Sequence, residues 1–341
     1  MSGETARLRL SDDRWVEFVA SHPDAVAFHH PAWAQGLAET YGLRGFVLAR
    51  REGGRVTAGI PFLVTRKPLG GARWVSLPYS DACPPLASGP DLDQLLEDLA
   101  AAAREADVKS LELRARIDAE GFGQRLAAVQ HVLPLDHDPD ELMRRFHPSQ
   151  VRANIRRAER GPVSIRRAED MRDLTEHFYG LHTRARRRQG IPVQPRRFFD
   201  VLWRRMIDTG LGYCLLAEID AKPVAGAVFL TWNGTTTYKF GASDPAFLKY
   251  RPNHLIFWHA IQSASADGHH AFDFGRTDID HLSLRAFKRT WGTVERPLYY
   301  SAAGAAQGVT PALMTGMSSV IRHSPLWVTR LLGEVLYPLI A

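Results

Sequence analysis

Two neighbouring stretches concentrate side chains that can do chemistry: Ala271-Phe272-Asp273-Phe274-Gly275-Arg276-Thr277 and Leu284-Arg285-Ala286-Phe287-Lys288-Arg289-Thr290-Trp291-Gly292. Phe272 and Phe274 alternate with Asp273, the period of a strand. Gly275 permits a sharp exit, so Arg276, Asp278 and Asp280 are offered at the strand's end, where open sheets place their ligands. A short helical turn then brings in Phe287, Lys288 and Trp291. Arg276 can grip a carboxylate or phosphate with two parallel hydrogen bonds. Asp273 can accept a proton, orient an amine, or fix Arg276. The plain alternative is a strand, a loop and an ion-paired helix start.

Other candidates lie upstream. Strand-like alternation over Thr235 to Phe240 puts Tyr238 and Phe240 on one face and Thr237 and Lys239 on the other. Tyr238 can orient a bound amine or serve as a sheet tyrosine. Tyr179 and His182 stand three apart on one helical face, and His182 is a base near neutral pH or a hydrogen-bonded surface group. Between Arg144 and Arg167 there are eight arginines and one acid, Glu159. Arg152, Arg156 and Arg160 recur at helical spacing, where like charges need acidic neighbours, an anionic ligand or solvent. Asn154 and Arg156 are expected to line a groove between two domains, bordered from the first domain by Asp81. Cys214 has a strand setting and reads as core.

Composition bounds what this chemistry can be. The 341 residues are 45% hydrophobic, which supports two domains with real cores. Two cysteines build neither a disulfide framework nor a metal cluster, and the fourteen histidines form no HExxH or Cys/His set. No metal is expected. The N-terminal stretch lacks a signal pattern, and no apolar run reaches the roughly 18 residues of a membrane span. The expected location is the cytoplasm, with a peripheral position on the inner face of the membrane left open. A formal charge of +6 permits an anionic partner without naming one.

The elements that must position these residues read as a mixed α/β chain of the α+β kind. Residues 1–139 form the first domain: a helix through Trp33, Leu37 and Tyr41, a hairpin turning at Gly53-Gly54, a turn at Gly70-Gly71, a leucine-faced helix from Leu92, and Val129 to Leu135 as the closing strand. Residues 140–303 form the second. Basic helices lead into strands broken at Asp220-Ala221-Lys222 and Asn233-Gly234. A helix begins near Pro252, and Phe272 to Phe274 with Pro297 to Tyr300 complete the sheet. Residues 304–341 are a tail of small residues, Gly304 to Gly316, and an amphipathic helix. Trp327, Leu331, Leu332 and Val335 are expected to dock this helix on the protein's own surface, with Arg330 and Glu334 facing away. The halves repeat one order of elements.

Several pieces in this order carry a family resemblance: Phe28-His29-His30-Pro31-Ala32-Trp33, Ser76-Leu77-Pro78-Tyr79-Ser80-Asp81, Arg152-Ala153-Asn154-Ile155-Arg156, Phe178-Tyr179 with His182, Tyr238 to Ala242, Pro252-Asn253, and Phe272 to Arg276 with Phe287-Lys288. Over about residues 25 to 300 the chain resembles the Fem-type branch of the GNAT acyltransferase superfamily, the FemAB-like proteins with tandem GNAT-like domains, each a mixed sheet flanked by helices. The resemblance implies aminoacyl transfer from aminoacyl-tRNA to an amine on a cell-wall precursor or small metabolite. Acyl-CoA-dependent N-acyltransfer and RNA binding without catalysis are the alternatives. It implies a role for the Phe287-Lys288 pair; beside Lys288, Asp273 and Tyr238 are the catalytic candidates, with Arg276, Phe287, Asn154, Arg156, Tyr179, His182 and Asp81 as candidates toward substrate. Lys288 would meet the acceptor's anionic group or the developing oxyanion. No tightly bound cofactor is expected. The co-substrate is aminoacyl-tRNA or acyl-CoA, and the partners are charged tRNA and an anionic or lipid-linked acceptor. The Arg251-Pro252-Asn253 entry lacks the glycine pair that cradles a CoA pyrophosphate, which lowers the case for CoA.

Overall fold

The computed structural model describes residues 3–67, 71–87, 90–304 and 318–340. The described residues divide into two compact units: residues 3–128 with 297–304, and residues 129–296 with 318–340. Most of the small-residue tail, 305–317, lies outside the described residues, as does Gly70.

In the first unit the strands are β1 (Glu4–Leu8), β2 (Arg44–Glu52), β3 (Arg55–Lys67), β4 (Gly71–Val75) and β5 (Ser110–Leu113). Strands β1 to β4 run antiparallel in sequence order, and β4 pairs with β5 in parallel. The helices are α1 (Asp13–Ser21), α2 (Pro31–Tyr41) and α3 (Pro90–Glu105). A parallel pair needs a crossover, and α3 supplies it. Its Leu95, Leu96, Leu99 and Ala103 are buried against Ile60, Phe62 and Leu113.

The second unit repeats the plan. It holds the end of β6 (Gly123–Pro134), then α4 (Pro139–Arg145), α5 (Ala153–Glu159), β7 (Ser164–Arg167), α6 (Tyr179–Gln189) and α7 (Arg196–Leu202). Next come β8 (Gly212–Ile219), β9 (Lys222–Trp232), β10 (Thr235–Ser243), α8 (Pro252–Ala266), β11 (Ala271–Thr277) and α9 (Leu282–Arg289). Strands β7 to β10 are antiparallel neighbours, and β10 pairs in parallel with β11 across the α8 crossover. The β9–β10 turn puts Asn233 and Gly234 at positive φ, as a two-residue hairpin requires. The β8–β9 turn makes the same demand of Asp220 and Ala221, at φ 51° and 58°. Alanine pays for that conformation sterically, so Ala221→Gly is expected to raise unfolding free energy by about 0.5–1 kcal/mol. Urea denaturation measures it.

Two strands depart from the expected division. Val129 to Pro134 does not close the first unit: it runs antiparallel to β11, with Ala271 opposite Pro134 and Asp273 opposite Val132. Conversely, the last strand, β12 (Val294–Gly304), places Ser301 to Gly304 opposite Leu113 to Ser110 of β5. The boundaries therefore fall at 128/129 and 296/297, not at 139/140 and 303/304. Apolar alternation identified both segments as strands but carried no information on their partners.

Three of the eight arginines of the basic passage pair with acids. Arg144 pairs with Glu141, and Arg145 meets Asp136 at 2.8 Å. Arg166 grips both oxygens of Asp173 at 2.6 Å and reaches Glu218 at 2.8 Å. That guanidinium holds the Asp173 carboxyl below the usual carboxylate range. Arg156, Arg157 and Arg160 face solvent on α5.

The C-terminal helix, α10 (Leu326–Ile340), packs on α6, but not through the expected stripe. Thr329, Gly333 and Tyr337 are buried, and the Tyr337 hydroxyl accepts from Arg186 at 3.3 Å. A Cβ on Gly333 would stand 3.1 Å from the Val193 carbonyl carbon, so the missing side chain admits the contact. Trp327, Leu331 and Val335 point into solvent.

Candidate active site

The second unit's site begins where two parallel strands part. β10 and β11 are paired from Thr235/Ala271 to Thr237/Asp273 and no further. Beyond that point each strand carries an irregularity on its other side. On β10, Tyr238 is opposite Phe229 and Phe240 is opposite Val228, so Lys239 is the extra residue of a bulge. On β11, the register against β6 shifts between Asp273 and Arg276. A pocket of about 220 Å³ lies there, lined by β9, β10, α8, β11 and α9.

The β10 bulge corrects the expected alternation. Tyr238 packs on the α8 side, 5.0 Å from the Phe257 ring and 5.9 Å from Phe229. Phe240 instead joins His182, Phe198 and Phe199 under α6 and α7, all within 5.8 Å. The two aromatics therefore face opposite ways.

Lys288, Arg276, Phe287 and Tyr238 all line the pocket. Lys288 is only 3% exposed. Its ammonium donates to the Gly275 carbonyl at 2.9 Å and to that of Arg276 at 3.3 Å, tying α9 to the strand's end. Arg276 is exposed and pairs with Asp278 at 2.8 Å. Burial pushes the Tyr238 phenol up to about 12, so it stays protonated near neutral pH. The Tyr238 hydroxyl lies against Gly241, where a Cβ would stand 2.9 Å from the ring carbon that bears it.

Asp273 is buried and supports the pocket without lining it. One carboxylate oxygen accepts the Gly275 amide at 2.8 Å and the other accepts Gln130 at 2.6 Å. These bonds fix the bulge from which Gly275 and Arg276 present their carbonyls to Lys288.

The remaining candidates are not gathered here. His182 is buried, held by Gln194 at 2.9 Å and stacked on Phe178 at 5.6 Å. Burial, with the charge of Arg186, drives its imidazole down to about 3. It is held away from the pocket lining. Tyr179 is buried against Phe199 beneath Arg330. Asn154 spends its amide on Gln150 at 2.6 Å, and Arg156 faces solvent. Asp81 belongs to the first unit, where its carbonyl accepts the Tyr300 hydroxyl at 2.9 Å.

His182 gives a signed expectation. Its folded value is depressed below the ordinary 6.5, so the unfolded chain binds the extra proton first. Its contribution is complete above pH 6.5 and is lost as pH falls toward 3, at about 1.4 kcal/mol per pH unit. Chemical denaturation across that window should show His182→Gln losing this slope, while the rate profile near neutrality keeps its shape.

Gly226, Ala227, Ser243, Ile256 and Phe257, which carry no signal in the sequence, complete the pocket together with Gly241. Asn253 donates to the Ser243 hydroxyl at 3.3 Å. His131 is fully buried, with Nε2 3.0 Å from Glu295, which also takes both arms of Arg285. Burial and the nearby Lys288 charge lower its pKa. At the start of α8, Arg251 sits at φ 61° and Pro252 has no amide proton. The His254 and Leu255 amides both turn back onto the Arg251 carbonyl at 3.1 and 3.4 Å.

Residues 145–289 match the acetyltransferase (GNAT) domain. The lipid II:glycine glycyltransferase of Staphylococcus epidermidis is 34% identical over 83 residues, 23% of this chain and 20% of that protein. The chain thus spans about a fifth of the length of the curated relatives it matches. The crystal structure of FemX aligns with a TM-score of 0.72 at 17% identity, covering 87% of this chain and 96% of FemX. A tandem GNAT protein from the clavulanic acid biosynthesis pathway aligns with a TM-score of 0.53 at 14% identity, covering 90% and 100%. The fold is the tandem GNAT arrangement.

Proposed function

We propose that this chain, whose residues 145–289 match the GNAT acetyltransferase domain, transfers an acyl group to an amine, most closely as aminoacyl transfer from aminoacyl-tRNA to a lipid-linked or small anionic acceptor. The observation that carries it is the convergence of Lys288, Tyr238, Arg276 and Phe287 on one pocket at the parting of β10 and β11. The donor is an activated ester or thioester. The amine nitrogen attacks its carbonyl, the C–N bond forms, and the C–O or C–S bond breaks. The leaving oxygen or sulfur takes up a proton, and the amine's excess proton passes to solvent. No covalent enzyme intermediate is needed.

In this scheme the pocket supplies position and charge. The Lys288 ammonium faces the developing oxyanion, and the protonated Tyr238 hydroxyl orients the amine or carbonyl. Arg276 exchanges Asp278 for a carboxylate or phosphate of the acceptor. Asp273 holds the bulge. Asp273→Asn is therefore expected to cost less than about tenfold in rate, with the pH profile unmoved, whereas a general base would cost about 100-fold or more.

The donor is tested by offering the full chain acyl-CoAs and charged tRNAs with a panel of amines. Labelled amide that requires charged tRNA supports the reading. Free thiol released from acetyl-CoA moves the donor to CoA, against the amide-poor start of α8. No transfer and no binding with any donor would remove the enzymatic reading. Salt-sensitive RNA binding that survives Lys288→Ala would then favour the α5 arginines as a binding face.

A further inference from the structure

The helix α10 has two apolar faces, and only one is used. Thr329, Gly333 and Tyr337 recur every fourth residue and are buried against α6 and the 190–193 turn. Trp327, Leu331 and Val335 recur at the same spacing, two positions earlier. Two positions are about 200° around a helix, so this second row points directly away from the protein. These side chains are 67%, 56% and 58% exposed. An indole, an isobutyl and an isopropyl group in line on one helix face are costly to leave in water.

We propose that this face of α10 seats on the surface of an anionic lipid bilayer, with Trp327, Leu331 and Val335 entering the headgroup–acyl boundary. The charge around the stripe favours that occupant. Arg330 borders it, with its guanidinium 5.5 Å from the Tyr179 ring beneath. Arg322, on the helical residues 318–323, donates to the Gln189 carbonyl at the end of α6. α6 adds Arg184, Arg186, Arg187 and Arg188 and no acid. Arg186 is spent on the buried Tyr337 and Arg188 on the Ser243 carbonyl, which leaves Arg184, Arg187, Arg322 and Arg330 against one carboxylate, Glu334, across α6 and residues 318–340. A tryptophan in an apolar row flanked by arginines is the make-up of helices that lie in a membrane interface. Anionic headgroups would neutralise these charges.

A second copy of the chain is a poorer occupant. A stable interface buries about 800 Å² on each partner, well beyond three side chains on one helix. Pairing the stripe with itself would also bring the Arg322 and Arg330 sets together. The proposal does not depend on the transfer reaction, since it concerns a surface separate from the pocket lining.

The test is flotation of the full chain with vesicles of equal parts phosphatidylglycerol and phosphatidylcholine, and with phosphatidylcholine alone. The expected result is binding to the anionic vesicles that weakens with salt. Binding should fall at least about tenfold in Leu331→Glu/Val335→Glu and by a smaller factor in Arg330→Ala. Both variants alter exposed positions, so their melting temperatures should match the parent. Equal binding by the parent and the double variant would overturn the proposal, as would no binding by the parent. A concentration-dependent dimer abolished by the double variant would assign the stripe to a second copy and overturn it as well.

Discussion

Lys288→Met is expected to lower kcat/KM for amide formation by about 100- to 1000-fold, the usual loss when one preorganised donor to an oxyanion is removed. The side chain keeps its length and loses its charge. In the parent, the ammonium is fixed by the Gly275 and Arg276 carbonyls at 2.9 and 3.3 Å, at the wall of the pocket. Those carbonyls lose a donor in the variant, at a cost of about 1–3 kcal/mol in stability, offset in part by no longer burying a charge. Single-turnover rates below the melting transition separate the two effects. A loss of less than about threefold in a folded variant would reduce Lys288 to a structural tie between α9 and β11.

Gly241→Ala carries the second large effect. The added methyl overlaps the Tyr238 hydroxyl and reaches within 2.9 Å of its ring carbon. The ring has little room to yield, because Phe229 and Phe257 press on it from 5.9 and 5.0 Å. Overpacking of this kind costs about 1–3 kcal/mol. The displaced ring also narrows the pocket, so KM for the acceptor should rise. Removing the hydroxyl relieves the overlap, and Tyr238→Phe/Gly241→Ala should regain most of the lost stability. Thermal melts of the two single variants and the double complete the cycle. Additive losses would mean that the tyrosine and the glycine do not touch.

These two residues also mark what the sequence made legible. The segment from Asp273 to Trp291 was readable because its ionisable groups fall at the end of an alternating strand and on the last turn of a short helix. Phe287, Lys288 and Arg276 do line one pocket. Tyr238 was identified, but its geometry was not. Strict alternation kept Phe240 beside it, and a one-residue bulge at Lys239 reverses that. A bulge is set by pairing with β9 and leaves no local mark in the sequence. His182 failed for a different reason. Its spacing from Tyr179 marks one face of a helix but cannot tell solvent from a cage of phenylalanines. The two strands assigned to the wrong halves show the same limit, because periodicity gives a strand its faces and not its neighbours. On α10 the apolar row was visible, while the docking row of Thr329, Gly333 and Tyr337 was not, because its packing depends on a residue with no side chain.

The interrupted first unit has a consequence for how the chain is made. Its strand β5 pairs with residues 301–304, which leave the ribosome after the whole of 129–296. At about 5–20 residues per second, that interval is on the order of 10–30 s. For that time the nascent first unit carries an unsatisfied strand edge, while the second unit can already close on its own segments. The first-made half therefore cannot finish until nearly all of the second has been made. Chaperone demand should accordingly track the wait for Pro297 to Gly304, and slowing translation between Val129 and Arg296 should lower the soluble yield by prolonging it.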